Sequence, residues 1–145
     1  MRRLKTFDEF LKLRIVKKQS PDRERAKNLL LESQEKFNFF EKVRDKIGDN
    51  GLSPNFVVEN CYDILIEILR GKLLYLGYKI DSHEVEISYM RNLGFPELDV
   101  LFMNELRYFR NGIKYYGKIF DEEYAEKVLG FMGRVRSKLL EVVEK

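Results

Sequence analysis

Apolar residues recur along this chain at three- and four-residue steps, the period of an α-helix, and nowhere alternate in the sustained way of a strand. The first clear segment opens at Ser20-Pro21-Asp22 and runs to about Ile47, carrying Ala26, Leu29, Leu30, Phe37, Phe40 and Val43. Gly48-Asp49-Asn50-Gly51 ends it as a turn cluster. Ser53-Pro54 restarts the helix, an N-cap residue followed by proline at the first helical position. From there Val57, Val58, Cys61, Ile64, Leu65, Ile68, Leu69, Leu73 and Leu76 make a broad apolar face, closed by Gly77. Asp63, Glu67 and Arg70 lie on the other side, and this most hydrophobic segment is the expected core of the fold.

Asp81 predicts the next helix start, with Glu84 as its capping-box partner and an end near Asn92-Leu93-Gly94. Pro96 opens another helix, with Leu98, Leu101, Phe102 and Phe109 predicted to face inward as far as Gly117. Asp121 caps the last, which carries Val128, Met132, Val135, Leu139 and Val142. The reading is all-α: an up-and-down antiparallel bundle of four to five main helices with short connections. Residues 21–145 form the bundle domain. Residues 1–20 read as a basic arm, or as a short amphipathic helix through Phe7, Phe10, Leu11 and Ile15.

Composition sharpens this only in places. At 145 residues the chain can bury one core, and 35% charged residues imply a heavily charged exterior. The charges are mainly Lys, Glu and Arg, with two glutamines and one cysteine, the drift seen in thermophile proteins. A net charge of +3 is too mild to announce a polyanionic partner. Local charge is less even. Arg2, Arg3, Lys5, Lys12, Arg14, Lys17 and Lys18 crowd the amino terminus against Asp8 and Glu9, which reads first as a solvated arm.

The amino terminus lacks the apolar core of a signal peptide. The longest uncharged run, Asn50–Val58, is far short of the roughly 20 residues a membrane span needs. A cytoplasmic protein with no membrane partner is expected. One cysteine and one histidine, Cys61 and His83, leave no disulfide and no metal cluster to predict. Phosphate-loop, dinucleotide and zincin motifs are absent, so no cofactor is expected.

The chemistry concentrates in LRYFRNGIKYYGK, Leu106–Lys118. On a helix Arg107, Arg110, Lys114 and Lys118 fall in one narrow stripe, where like charges repel. A stripe without acids calls for acids on a neighbouring helix or for an external anion. Arginine suits phosphate through its planar fork. Tyr108, Tyr115 and Tyr116 offer stacking faces to unpaired bases. Asn111 lies one turn before Tyr115 and, as a poor mid-helix residue, needs a hydrogen-bond partner or a function. The anion-binding candidates are therefore Arg107, Arg110, Asn111, Lys114, Tyr115, Tyr116 and Lys118.

These residues carry a family likeness. Over roughly Asp22 to Leu140 the chain resembles the HEPN domains, small all-α bundles. Leu74–Glu84 is similar to the family's helix–Gly–turn–Ser-His segment, and Arg110-Asn111-Gly112-Ile113-Lys114 to its Arg-Asn motif near the end of a long helix. The resemblance implies a homodimer with both copies of the motif at a shared cleft, RNA or a nucleotide as ligand, and a separately encoded minimal nucleotidyltransferase as partner. It also implies that a tyrosine near the motif, Tyr115 or Tyr116 here, accepts nucleotidyl groups, although Gly117 occupies the expected tyrosine position.

Nuclease members of that family are metal-independent, with a histidine separated from the arginine by four to six intervening residues. Beyond Arg110 those positions hold Tyr115, Tyr116 and Gly117. Tyrosine, with a pKa near 10, cannot exchange protons at neutral pH as imidazole can. Losing general acid–base catalysis typically costs about 10²–10⁴-fold in rate. A binding protein is therefore the expected function, with Arg110, Asn111 and Tyr115 as the candidates for any residual catalysis. The alternatives are an endoribonuclease with an unconventional proton donor and a plain dimerisation module. His83, at the start of another helix, is expected to cap or pack.

Overall fold

The structure is a computed structural model, and it describes residues 3–143. Six α-helices are present among them: α1 (Phe7–Lys12), α2 (Arg23–Ile47), α3 (Pro54–Leu76), α4 (His83–Ser88), α5 (Glu97–Tyr116) and α6 (Glu122–Val143). Two residue pairs, β1 (Lys17–Lys18) and β2 (Tyr78–Lys79), add a short antiparallel ribbon. The expected all-α bundle is what forms.

Contacts fix the directions of the four long helices. Ser33 Oγ donates to Ile64 O at 2.8 Å and Phe40 stacks on Phe56, so α2 and α3 run antiparallel. Arg134 grips Asp99 while Tyr124 OH donates to Glu105, so α5 and α6 are antiparallel too. Asn55 bonds Lys118 O and Phe120 N near the start of α6, and Lys72 Nζ donates to Val143 O at its end. Helices α3 and α6 therefore run parallel, completing an up–down–up–down arrangement. Helix α3 is buried almost all round, from Val57 and Val58 to Leu73 and Leu74, as its hydrophobicity predicts.

The helix boundaries follow their local signals. Asp22 accepts from Arg25 N at the start of α2, and Asp121 from Tyr124 N at the start of α6. Pro54 opens α3 as expected, but the Ser53 side chain makes no capping bond. Gly77 ends α3 in the left-handed region with φ 88°. A Cβ there would stand 2.6 Å from Gln19 O, so only glycine fits. The start of α4 lies one residue later than predicted. Ser82, not Asp81, accepts from Glu84 N, and the Glu84 side chain turns towards α5 instead of closing a capping box.

Two further expectations need correction. Arg2 lies outside the described residues; the cations from Arg3 to Lys18 are exposed, and the segment forms the expected alternative, a short amphipathic helix, α1. Leu4, Phe7, Phe10 and Val16 are buried, Thr6 and Glu9 form a capping box at α1, and Gln19 N donates to Gly77 O. Ile15, expected on the apolar face, is exposed, and Val16 takes its place. On α5 the inward face is Val100, Met103 and Leu106. Leu98 and Leu101 point out, 80% and 46% exposed. Phe102 and Phe109 pack partly buried against Tyr124, with Phe102 also meeting Phe131.

Candidate functional site

Helix α5 turns Arg107, Arg110, Asn111 and Lys114 towards the amino end of α4. Between them lies a cleft of about 390 Å³, lined also by Ser82, His83, Glu84 and Tyr115. Five of the seven predicted site residues thus meet in one place. Tyr116 and Lys118 do not. The helix stops at Tyr116, and Gly117 adopts a left-handed conformation with φ 64°. That reversal carries Lys118 off the stripe, its ammonium 4.5 Å from the Phe109 ring centre and 5.4 Å from Phe120. Tyr116 and Lys118 instead line a neighbouring cavity of about 510 Å³ with Tyr108, Phe109 and Gly112.

Acids on neighbouring helices answer part of the basic stripe. Arg110 Nη2 stands 3.3 Å from Asp63 Oδ1 of α3, and Arg107 Nη2 stands 3.7 Å from Glu84 Oε1 of α4. Arg107 Nε also donates to Asn104 Oδ1 at 2.9 Å. Neither guanidinium is closed on its carboxylate through two nitrogens. Lys114 has no ion pair among the described residues; its ammonium lies 5.6 Å from the Tyr115 ring centre. Three cations against two carboxylates leave the cleft net positive, with donors to spare. The Asn111 amide, whose mid-helix position demanded a partner, makes no side-chain hydrogen bond among the described residues and lines the cleft.

His83 lies in the same cleft, which its position in the chain did not reveal. Its Nδ1 is 2.8 Å from the hydroxyl oxygen of Tyr62, a fully buried residue of α3. Burial, followed by the charges of Arg70, Arg110 and Arg107, pushes the imidazole pKa down to about 4. Burial raises the Tyr62 phenol, so it keeps its proton. The pair is therefore neutral at pH 7. It provides a polar edge to the cleft without adding charge.

Below this edge lies a different arrangement. Glu86 is wholly buried, and Arg70 Nε and Nη2 close on its two oxygens at 2.6 and 3.0 Å. Burial outweighs the arginine and pushes the carboxyl up to about 7. Tyr62, Asp63 and Glu84 were not read as site residues from the sequence, although Asp63 was placed on a polar helix face and Glu84 at a cap. The acid-free stripe on α5 was the signal for them, since it called for acids elsewhere, but it could not say which ones.

Compared with protein-family models, with curated proteins and with solved structures, the chain finds no match. No helix of the described residues is long and apolar enough to cross a membrane.

Chemically, the cleft can hold an anion. Two partly open guanidiniums, one free ammonium, the Asn111 amide and a neutral imidazole suit a phosphate diester or monoester. Proton transfer is poorly served. A base with pKa about 4 has little driving force at neutral pH.

Proposed function

We propose that this chain is a HEPN-like binding protein that holds a phosphate of RNA or of a nucleotide in the α4–α5 cleft and does not cleave it. The supporting observation is the open pairing of Arg107 and Arg110, 3.7 and 3.3 Å from their carboxylates beside the unpaired Lys114. An arginine whose fork is not closed on a carboxylate retains donors for bidentate phosphate contact. Fluorescence anisotropy with a short single-stranded RNA, in chelator, tests it. Binding should weaken by roughly 10- to 100-fold in Arg110→Ala, the range of a charge-assisted hydrogen bond. RNA left intact after prolonged incubation is expected; metal-free cleavage that requires Arg110 would overturn the binding-only reading.

A second reading has its own observation. Leu98 and Leu101 occupy the outer face of α5, one turn apart and strongly exposed. A second copy of this chain covering them would bury this apolar face in a homodimer, while the cleft residues Arg107, Arg110 and Lys114, on the other side of α5, would stay open. Sedimentation velocity of the Leu98→Asp, Leu101→Asp double variant tests this pairing. A dimer that dissociates supports it, and a monomeric parent protein refutes it.

A further inference from the structure

The cationic cleft and the aromatic cavity beside it share a wall. Asn111 and Tyr115 line both. On one side stand the two arginines; on the other, Tyr108, Phe109 and Tyr116 surround a space of about 510 Å³, within the size range of small-molecule sites. Tyr108, Tyr115 and Tyr116 are all strongly exposed, so their ring faces are available to a ligand.

Gly112 leaves that space open. It sits inside α5, outside the set of glycines with positive φ, and a Cβ there would meet only the Lys118 stem, at 3.5 Å. Neither backbone geometry nor crowding requires glycine. In a helix it is roughly 1 kcal/mol worse than alanine. It lines the aromatic cavity, so a side chain there would take up part of that space.

We infer that the two cavities together take one unpaired nucleotide of a single-stranded RNA, its phosphate against Arg107 and Arg110 and its base stacked on the tyrosines across the Tyr115 wall. This deepens the phosphate-binding reading and rests on it. A base within a duplex keeps both faces in its own stack and cannot enter the cavity. Stacking on aromatic side chains tolerates every base, so the site selects single strands and not a sequence.

The test compares three RNAs of equal length by anisotropy: an intact single strand, the same backbone with abasic sites, and a duplex. The intact strand should bind roughly 5- to 100-fold more tightly than the abasic one. In Tyr108→Ala that preference should shrink, whereas Arg110→Ala should weaken both single strands. Equal affinity for intact and abasic strands would overturn the base site while leaving the phosphate reading standing. Tighter binding of the duplex, or an undiminished preference in Tyr108→Ala, would overturn it as well. No binding of any of the three would defeat both.

Discussion

Two glutamates of the same short helix, Glu84 and Glu86, meet arginines in opposite ways. Glu86 points into the bundle, is fully buried, and is gripped by two nitrogens of Arg70 at 2.6 and 3.0 Å. Glu84 faces the cleft, and its nearest guanidinium nitrogen, on Arg107, is 3.7 Å away. The residue types are the same and the roles differ. A closed fork on a buried carboxylate has used its bidentate edge and has a high cost of disruption. A long, single contact to the half-exposed Glu84 contributes less to stability and leaves the arginine donors to spare. The difference in closure, though not in burial of the arginine, also separates the bidentate Arg134–Asp99 pair from Arg110–Asp63.

The sharpest way to break the comparison is to remove the closed arginine. Arg70→Met leaves the Glu86 carboxyl buried without its partner and should cost about 3–5 kcal/mol in urea unfolding. Arg110→Met should cost about 0–1 kcal/mol, since its pair is partly solvated. Equal losses would erase the distinction between the two sets.

The pH dependence gives a second comparison, because His83 and Glu86 are shifted in opposite senses. Folding lowers the imidazole pKa from 6.5 to about 4. The stability this contributes is complete above pH 6.5 and is lost as pH falls towards 4. Folding raises the Glu86 carboxyl from its ordinary range to about 7, so its contribution is complete below pH 4.5 and is lost as pH rises through 7. The two trends oppose each other over the same window. His83→Gln should therefore gain stability relative to the parent protein as pH falls from 6.5 to 4, read by denaturant midpoints at each pH. A parallel pair of curves would mean that the imidazole titrates normally.

The smallest effect is expected at Lys114. Lys114→Gln should leave unfolding free energy within about 0.5 kcal/mol of the parent. It should also reduce the salt slope of RNA binding by about one.

Much of the fold was legible because single residues mark its boundaries. Pro54 starts α3, while Gly48, Gly77 and Gly117 stand immediately after α2, α3 and α5. The apolar face of α6 was equally plain, with Val128, Met132, Val135 and Leu139 buried in the expected register. Helix α5 was harder, because it carries leucine, valine, methionine and phenylalanine on nearly every side. Periodicity then cannot choose between Leu98–Leu101 and Val100–Met103–Leu106 as the inner face. In the amino-terminal segment Phe7 and Phe10 were legible as an apolar face, but Leu4 and Val16, set among cations, were not, and both are buried.

At the site, local spacing correctly grouped Arg107, Arg110, Asn111, Lys114 and Tyr115. Lys118 was misplaced because extending the helical stripe ignored the reversal that Gly117 permits. The convergence of Tyr62, Asp63 and His83 on that stripe depends on how α3, α4 and α5 pack, a long-range outcome that no local pattern encodes.

The central claim is that the open arginines bind phosphate. Its most direct measurement is the affinity of a short single-stranded RNA for the parent protein and for Arg110→Ala, in chelator and at two salt concentrations. The account predicts binding that weakens with salt and falls at least roughly tenfold in the variant. Equal affinity of the two proteins, or no binding to either, would contradict it.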